Sequence, residues 1–294
     1  MKYLIEKRNY IIIFVIIILI FWIFINLNSK KIHLKSFDFN GKIITIKIYE
    51  DINEGAVYKK INDIYSYFEN YEDKLNGKLD NKMKSFIEYG KVLYNKTFGN
   101  VDITSGDLLD KLKDNDKYLF STKINDLDIS SNMLKNKINF NIDNIVSSYA
   151  TSEVIDYFKD LKIKKYIIND DGNIIAGERY NNGKYKCSIS DSLNKKVLKI
   201  VNIENESMYT LNNSDDLKGY MVNPKKGVIE KRYDTVVVIS KDNLTANMVA
   251  SNLYLLSIDE GKEYAKRYNS EALWHYNNEI YMTDNFSKYI NLQK

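Results

Sequence analysis

Two polar side chains in the stretch TANMVASNLYLLSIDEG, Thr245–Gly261, have a spacing that could serve a ligand. Asn247 and Ser251 are four residues apart, so on a helix both project from the same face. An amide oxygen and a hydroxyl can touch a hard cation such as Mg2+, although that ion is usually held by carboxylates together with phosphate oxygens. Neither residue is charged, and taken alone the pair is by default interpreted as ordinary polar positions on a helix.

A second stretch, GYMVNPKKG, contains Pro224, the only proline of the 294 residues. Proline pre-sets the backbone of a turn, and a glycine such as Gly227 permits the exit from it. A third stretch, GNVDITSGDL (99–108), indicates a strand that leads into a helix capped by Thr104 or Ser105. The sequence DDGN at 170–173 is by itself typical of a hairpin turn.

The composition excludes several classes of site. The only cysteine is Cys187, so neither a disulfide within the chain nor a cysteine-rich metal site can form. The two histidines, His33 and His275, argue against most histidine-based zinc sites and against a histidine-dependent triad. The formal net charge is only +4, and the lysines are scattered among acidic residues and asparagines. We therefore expect no nucleic-acid partner.

The N-terminal sequence indicates a membrane anchor. Residues 10–27, YIIIFVIIILIFWIFINL, carry no charge and as a helix would span roughly 27 Å, close to the ~30 Å hydrocarbon core. No small-residue cleavage pattern follows, although a signal peptide with an atypical site is the alternative. We predict a cytoplasmic tail at 1–9, a single transmembrane helix at 10–27, a linker at 28–36 and an extracytoplasmic domain at 37–294, which would place the protein at the cell membrane.

The remaining pattern predicts an α+β domain in which mixed sheets are flanked by helices. The stretches KIITIKIY, KKYIIN, NIIAG, KYKCSIS, TVVVIS and EIYMTDNF predict strands, as does INFNI at 138–142. Helical spacing predicts one helix from Val57 to Leu75, a second in KMKSFIEYGKVLYNKT, a third around Val154–Leu161 and a fourth after a cap at Asp242 or Asn243. The segment 110–136 is polar and predicts loop and short strands.

Four stretches in this order resemble the ApbE family of flavin transferases, from about Phe37 to the C-terminus. GNVDITSGDL is similar to the family pattern G-x-[FV]-D-[IV]-T-x-G-x-L, and NIDNIVSSYATSEV (141–154) is similar to D-L-G-G-I-A-K-G-Y-A-V-D-x-[VAL]. IINDDGNIIAGE (167–178) resembles the segment around G-G-[ND]-[IV]. YMVNPKKG, followed by TANMVASNLYLLSIDEG, resembles H-I-I-D-P-R-T-G followed by A-D-A-L-S-T-A-L.

This resemblance implies a single ApbE-like domain and a known chemistry. Family members bind FAD with Mg2+ and transfer the FMN half to a threonine hydroxyl of a partner protein, and some split FAD into FMN and AMP. The partners are FMN-carrying redox proteins or subunits, and many members are anchored outside the cytoplasmic membrane. The retained positions imply a nucleotide pocket formed by Asp102, Thr104, Tyr149, Gly172 and Asn173, with a loop at Pro224 beside it.

At the chemical positions, however, this sequence departs from the family. The resemblance places the three metal ligands at the backbone carbonyl of Val146 and at the side chains of Asn247 and Ser251, where the family has Ala, Asp and Thr. Ser147 stands in place of a lysine aimed at the nucleotide. Tyr220 and Asn223 replace the histidine and aspartate of the catalytic loop. The substitutions remove an anionic metal ligand and a cation, both of which phosphoryl transfer relies on, and Tyr220 is a poor base at neutral pH.

Two hypotheses follow from these substitutions. One is a pseudoenzyme that binds flavin nucleotide weakly or not at all and binds a partner protein. The alternative is an active FAD:protein FMN transferase with an altered Mg2+ site.

Overall fold

The computed structural model describes residues 31–114, 120–181, 183–191, 196–213 and 218–290. None of the helices in those ranges combines the length and apolar character needed to cross a bilayer. The tail predicted at 1–9 and the anchor predicted at 10–27 lie outside the described residues.

Eight strands of the described chain form one sheet in the order β1-β2-β3-β4-β7-β10-β11-β12. Every pairing in it is antiparallel, so the predicted mixed sheets are wrong. Two further pairs, β5 with β6 and β8 with β9, form separate hairpins. The strands are β1 (His33–Phe39), β2 (Lys42–Ile48), β3 (Tyr166–Asp170), β4 (Asn173–Ala176), β5 (Tyr185–Ser190), β6 (Val197–Ile203), β7 (Glu206–Asn212), β8 (Val222–Asn223), β9 (Val228–Ile229), β10 (Thr235–Ser240), β11 (Glu271–Tyr276) and β12 (Glu279–Met282).

The domain begins earlier than the sequence pattern predicts, because β1 starts at His33, inside the predicted linker 28–36. His33, Phe37 and Phe39 point into the core from alternate positions, as the two-residue period of a strand requires. The strand pairs along its whole length with β2, from His33 opposite Ile48 to Phe39 opposite Lys42.

Seven helices pack around this sheet within the described residues: α1 (Glu54–Glu69), α2 (Tyr71–Leu75), α3 (Asn81–Lys96), α4 (Gly106–Lys113), α5 (Asp143–Asp160), α6 (Asn243–Leu253) and α7 (Ile258–Arg267). The single helix predicted from Val57 to Leu75 is divided at Asn70, which caps α1 and opens α2. The strand predicted at 138–142 is wrong. In this segment the Asn141 N–H donates to the Ile103 carbonyl at 2.9 Å, and α5 begins two residues later, at Asp143.

Both faces of the sheet are buried, and different elements pack against each of them. One face carries Ile46, Ile168 and Trp274 and packs against the helices. The opposite face, with Val237 and Leu273, is covered by the β5–β6 hairpin and the 3-10 turn at Phe286–Tyr289. On the helical side α5 packs against both α1 and α6. The two helices that carry the motif residues are therefore neighbours.

Candidate functional site

A cleft of about 790 Å3 opens at one end of the sheet. Its walls come from the β1–β2 turn, the α1–α2 junction, the start of α5, the β3–β4 turn, β7 and the 3-10 turn Gly219–Met221. A chamber of about 20 Å3 lies beside it, and Asn144, Gly219 and Tyr220 line both cavities. The cleft has the size of a ligand pocket, which is typically about 300–1,000 Å3.

The start of α6 is fixed by Asp242, whose side chain accepts the backbone N–H of Thr245 at 2.8 Å. This cap sets the rotation of the helix, so Asn247 and Ser251 are both buried and both meet the first turn of α5. The shared face that the four-residue spacing predicts is therefore present.

The amide of Asn247 is bonded directly to a backbone carbonyl. Its Nδ2 donates to the Asn144 oxygen at 3.0 Å. The hydroxyl of Tyr209, on β7, donates to the same oxygen, also at 3.0 Å. Burial and the nearby charge of Asp170 raise the pKa of Tyr209 well above its ordinary value, so this hydroxyl remains a donor. This carbonyl therefore accepts two side-chain hydrogen bonds.

The carbonyl next to Asn247 is that of Asn144, two residues before the predicted Val146. Val146 lies fully buried inside α5, where a backbone carbonyl accepts the N–H four residues later. Asn144 lies in the first turn of the helix, and its side chain donates to the Ser251 hydroxyl at 3.3 Å. The three polar groups that meet at this point are thus Asn144, Asn247 and Ser251.

These residues do not fit a magnesium ion. The carbonyl that would be a ligand already accepts hydrogen bonds from the Asn247 amide and the Tyr209 hydroxyl, so it is not free to bind a cation. Asn247 Oδ1 is buried and accepts no hydrogen bond from the described residues. Across the described part of the chain, no cluster of three or more Asp, Glu, His or Cys residues could hold a metal.

Ser147, which replaces the lysine of the family pattern, faces the core rather than the cleft. It is 3% exposed, and its hydroxyl donates to Asp170 Oδ2 at 2.7 Å. Thr151, one turn later, lies 3.4 Å from the same oxygen. Burial raises the pKa of Asp170 above its ordinary value of 3.8, and the hydrogen bond from Ser147 partly offsets this. No cation is supplied to the cleft from this position.

The raised pKa of Asp170 gives a testable pH dependence. A carboxyl whose pKa is higher in the folded state stabilises the fold fully below its unfolded pKa, and this stabilisation is lost as the pH rises through the folded pKa. We therefore expect Asp170→Asn, which keeps the acceptor for Ser147, to unfold at higher urea concentration than the wild type at pH 7.5. This advantage should shrink as the pH falls toward 4. Urea unfolding across this pH range measures the difference.

The exposed residue Asp63, on α1, provides the control for this experiment, because it does not contribute to the raised pKa of Asp170. Asp63→Asn should change stability by less than about 0.5 kcal/mol at every pH. If the difference in stability between the wild type and Asp170→Asn were the same at every pH, the inferred cost of burying the Asp170 charge would be contradicted.

The two positions of the catalytic loop have structural partners instead of free reactive groups. The Tyr220 hydroxyl donates to the Asn212 carbonyl at 2.6 Å, and burial raises the pKa of Tyr220 to about 12. Asn223 Oδ1 accepts the backbone N–H groups of Lys225 and Lys226 at 3.1 and 3.2 Å. Tyr220 lines the cleft, but its proton is bonded to a backbone carbonyl. Asn223 organises the turn that contains Pro224.

The turn at Pro224 closes on itself. The Gly227 N–H donates to the Asn223 carbonyl at 2.8 Å, and Gly227 has φ of +66°, which a glycine adopts without strain. Pro224 is buried, and neither it nor Asn223 lines the cleft or the chamber. The proline therefore shapes the β8–β9 hairpin, and Tyr220 is the part of this motif that reaches the cleft.

The remaining predicted pocket residues are divided between cleft, chamber and core. Asn173 lines the cleft and accepts the Thr210 N–H at 2.8 Å. Asp102 lines the chamber. Gly172, with φ of +94°, forms the adjoining β3–β4 turn. Tyr149 lines neither cavity and packs with aromatic rings of α1 and α3.

Thr104 supports the loop that contains Asp102. Its hydroxyl donates to Asp102 Oδ1 at 2.7 Å and accepts the Lys123 N–H at 3.1 Å. The following residue, Ser105, is the N-cap of α4, although its side chain makes no capping hydrogen bond. The helix predicted after this motif is therefore present.

The charges that line the cleft oppose a polyanionic ligand. Five carboxylates and three lysines are found among the described lining residues: Glu69, Glu72, Asp73, Asp143, Asp171, Lys42, Lys113 and Lys218. The Asp143 carboxylate is bonded by the Tyr71 hydroxyl at 2.7 Å. This excess of acidic groups does not complement a pyrophosphate.

Sequence reasoning missed Asn144 and Tyr209, the two residues bonded most directly to the Asn247 site. Asn144 lies within NIDNIVSSYATSEV at a family glycine position, so its departure from glycine was an available signal. Tyr209 lies in β7, a strand that the motifs do not include, and no sequence signal distinguished it from the chain's other tyrosines.

Comparisons with known proteins agree with this arrangement. The sequence profile of the ApbE family matches residues 41–274. An ApbE protein from Thermotoga maritima superimposes with a TM-score of 0.75 at 14% identity, covering 89% of this chain and 100% of that one. The flavin transferase ApbE from Vibrio cholerae gives 0.72 at 16% identity, with coverage of 89% and 100%. The apo form of the flavinyl transferase ApbE from Pseudomonas stutzeri gives 0.71 at 16% identity, with coverage of 89% and 98%. No curated protein matches the chain.

Proposed function

Since the chain belongs to the ApbE family, we propose that it is a flavin-transferase homologue without metal-dependent transfer activity, which uses its cleft to bind a flavin or a partner protein. One observation carries this proposal: Asn247 Nδ2 donates to the Asn144 carbonyl at 3.0 Å. An N–H donor thus satisfies the oxygen that a cation would otherwise contact.

The consequence of this hydrogen bond is electrostatic. In family members FAD is the flavin donor and Mg2+ neutralises charge on its phosphates, a large part of catalysis in phosphoryl transfer. The hydrogen bond from Asn247 to Asn144 joins α6 to α5, as a shared metal ion would, but it places no net positive charge beside a phosphate. The geometry of the site can therefore persist while the chemistry is lost.

The residues at the family's catalytic and lysine positions are also engaged in other hydrogen bonds. A general base typically contributes about 10²–10⁴-fold to a rate, and the Tyr220 hydroxyl, with its pKa raised to about 12, cannot serve as one at neutral pH. Ser147 is committed to Asp170. These substitutions act in the same direction as the change at Asn247.

The alternative is an active, Mg2+-dependent FAD:protein FMN transferase. It is favoured by the free Oδ1 of Asn247 and by the volume of the cleft. If the pyrophosphate of FAD supplied the anionic oxygens, the amide could turn and contribute its oxygen to an ion that arrives with the nucleotide.

We also propose where the protein acts. The apolar segment 10–27 would anchor it in the cell membrane, with the domain on the extracytoplasmic side. The partner would be an FMN-carrying redox protein or subunit at the same membrane. The membrane anchor is supported by the sequence, and the kind of partner is supported by what is known of the family.

An assay for covalent flavin tests the proposal. The full-length chain in detergent is incubated with FAD, an FMN-accepting domain, and either Mg2+ or EDTA, and the acceptor is examined by in-gel fluorescence. We expect no labelled acceptor under either condition, while an active ApbE flavin transferase in a parallel reaction labels it. Acceptor labelled only in the presence of Mg2+ would establish the alternative. Quenching of riboflavin, FMN and FAD fluorescence measures binding separately, and we expect EDTA to leave it unchanged.

A further inference from the structure

The outward face of β1 and β2 carries aliphatic side chains that the rest of the described chain leaves uncovered. Leu34 on β1 and Ile43 on β2 are 54% and 56% exposed, and Ile32, just before β1, is 61% exposed. We call these three residues the apolar patch. Single exposed aliphatic residues are ordinary, but several gathered on one face of a sheet indicate a contact surface.

The apolar patch lies where the covering of the sheet ends. The β5–β6 hairpin covers the same face further along the sheet, and the cluster beneath the hairpin extends to Tyr49 and Ile167. Beyond it, the pairing of β1 with β2 places Leu34 opposite Lys47, Ser36 opposite Thr45, and Asp38 opposite Ile43. The Ser36 and Thr45 hydroxyls are bonded to each other at 3.0 Å, so this middle row satisfies one of its own hydrogen bonds.

The predicted membrane anchor ends next to the apolar patch. Its last residue is Leu27, and only residues 28–31, NSKK, separate it from Ile32. The five steps from Leu27 to Ile32 reach at most about 17 Å, and the headgroup layer on each side of a bilayer is itself ~5–8 Å thick. An anchored chain therefore holds the start of the patch close to the lipid headgroups. The two lysines of NSKK favour that position.

We propose that the apolar patch docks on the lipid bilayer that holds the anchor, so that β1 and β2 lie along the membrane surface. Aliphatic side chains that enter the interfacial region gain the free energy of leaving water. The Lys47 side chain can keep its methylene stem on the patch and extend its ammonium to the headgroup phosphates. This inference rests on the proposed membrane anchor and is independent of whether the cleft is catalytic.

Docking determines where the cleft opens. Asn40 and Lys42, at the β1–β2 turn, line the cleft, and this turn is at the end of β1 farthest from the anchor. In a domain that stood upright on its anchor, the turn would lie roughly 20 Å above the start of β1, because the seven residues of the strand span about that length. A docked domain brings this wall of the cleft down to the headgroups, within reach of a partner held in the same membrane.

A second copy of the chain is a less suitable occupant of the patch. β1 is at the edge of the sheet, and edge strands can pair with one another. Lys35, however, is exposed in the middle of β1, and a lysine on an edge strand opposes such pairing. The patch also projects from the face of the sheet, so pairing at the edge would leave it uncovered.

Quenching by labelled lipids tests the docking. The full-length chain is placed in nanodiscs of phosphatidylcholine and phosphatidylglycerol, with or without a lipid that carries a doxyl quencher near its headgroup. An environment-sensitive fluorophore is attached at Ile43→Cys, since the native Cys187 is buried. Ile43 is opposite Asp38, six residues beyond Ile32 and so roughly 20 Å along the strand, too far for the anchor alone to bring it to the lipid. We expect the doxyl lipid to quench this label and the bilayer to shift its emission to the blue.

Val92 provides the matched controls. It is exposed on α3, on the helical side of the sheet, and a label at Val92→Cys should be neither quenched nor shifted. Leu34→Ser should lower the ratio of docked to undocked domain, measured with the label at residue 43, by about tenfold, from the transfer free energy of one aliphatic side chain. Val92→Ser should leave that ratio unchanged.

Four results would overturn the proposal, and each has a distinct meaning. If the chain enters the nanodiscs but the labels at 43 and 92 are quenched equally, the anchor is present and the docking is wrong. A blue shift at residue 43 without doxyl quenching would show that a second copy covers the patch. Quenching that survives Leu34→Ser unchanged would show that the patch does not drive the contact. A chain that does not enter the nanodiscs lacks the anchor, and the docking fails with it; none of these results bears on transfer activity.

Discussion

Asn247→Asp is expected to lose about 3–5 kcal/mol of unfolding free energy in EDTA, the usual consequence of an unpaired buried charge, and to regain much of it in millimolar Mg2+. Asn247 is fully buried, and its Nδ2 lies 3.0 Å from the Asn144 carbonyl. A carboxylate there would replace a donor with a second acceptor, so two oxygens would repel one another. The substitution also frees a lone pair on Asn144, which lets a cation bridge the two groups.

The wild-type protein should behave in the opposite way. Its unfolding free energy should be the same in Mg2+ and in EDTA, because the Asn247 hydrogen bond already satisfies the carbonyl. Urea unfolding of both proteins in the two buffers measures the effect. A wild type that Mg2+ stabilises, without any change at residue 247, would contradict the proposed loss of the metal site.

A neighbouring asparagine on the same helix gives the matched control. Asn252 is also fully buried, its Oδ1 accepts from Asn100 at 2.8 Å, and its Nδ2 has no partner. Asn252→Asp should therefore lose stability for the same reason as Asn247→Asp, yet gain nothing from Mg2+. If Mg2+ stabilised both variants equally, the effect would be a general screening of buried charge and not a restored site.

Much of this fold follows from local sequence signals. The alternation in β2 and the fully apolar run of β10 are strong indications of strands, because their side chains must fill a sheet with buried faces. The strand β1 escaped prediction because Lys35 interrupts its inward face and an apolar residue, Leu34, stands among its outward positions, which weakens the alternation. The break at Asn70 also lacked a signal, since the apolar spacing continues through it into α2.

The site was less predictable, because its decisive contacts join segments distant in sequence. The four-residue spacing correctly brings Asn247 and Ser251 to one face. Which backbone carbonyl they meet depends on where α5 begins, and a shift of two residues replaces Val146 with Asn144. The contribution of Tyr209 arises from the pairing of β7 beside β4, which no motif specifies.

The position of α6, and so of Asn247, depends on the packing beneath it. Trp274 on β11 is fully buried and packs against α7, which in turn packs against α6. The contact is close at Gly261, where a Cβ would lie 2.8 Å from Trp274 Cζ2 and 3.1 Å from Leu253 Cδ2. A larger residue at 261 must therefore displace the indole or the end of α6.

Trp274→Ala should lose about 3–5 kcal/mol of unfolding free energy, because it empties the space of one of the largest fully buried side chains. A cycle with Gly261 tests whether the contact carries this cost. Gly261→Ala gains about 1 kcal/mol of helix propensity but loses about 1–3 kcal/mol to overpacking against Trp274. It should therefore be neutral or destabilising in the wild type and stabilising in a Trp274→Phe background, where the outer edge of the indole is removed.

Urea unfolding of the four proteins gives the coupling energy, expected to be about 1–3 kcal/mol. Additive effects would show that α7 can move away from β11 without cost, and the packing below α6 would then not set the position of Asn247.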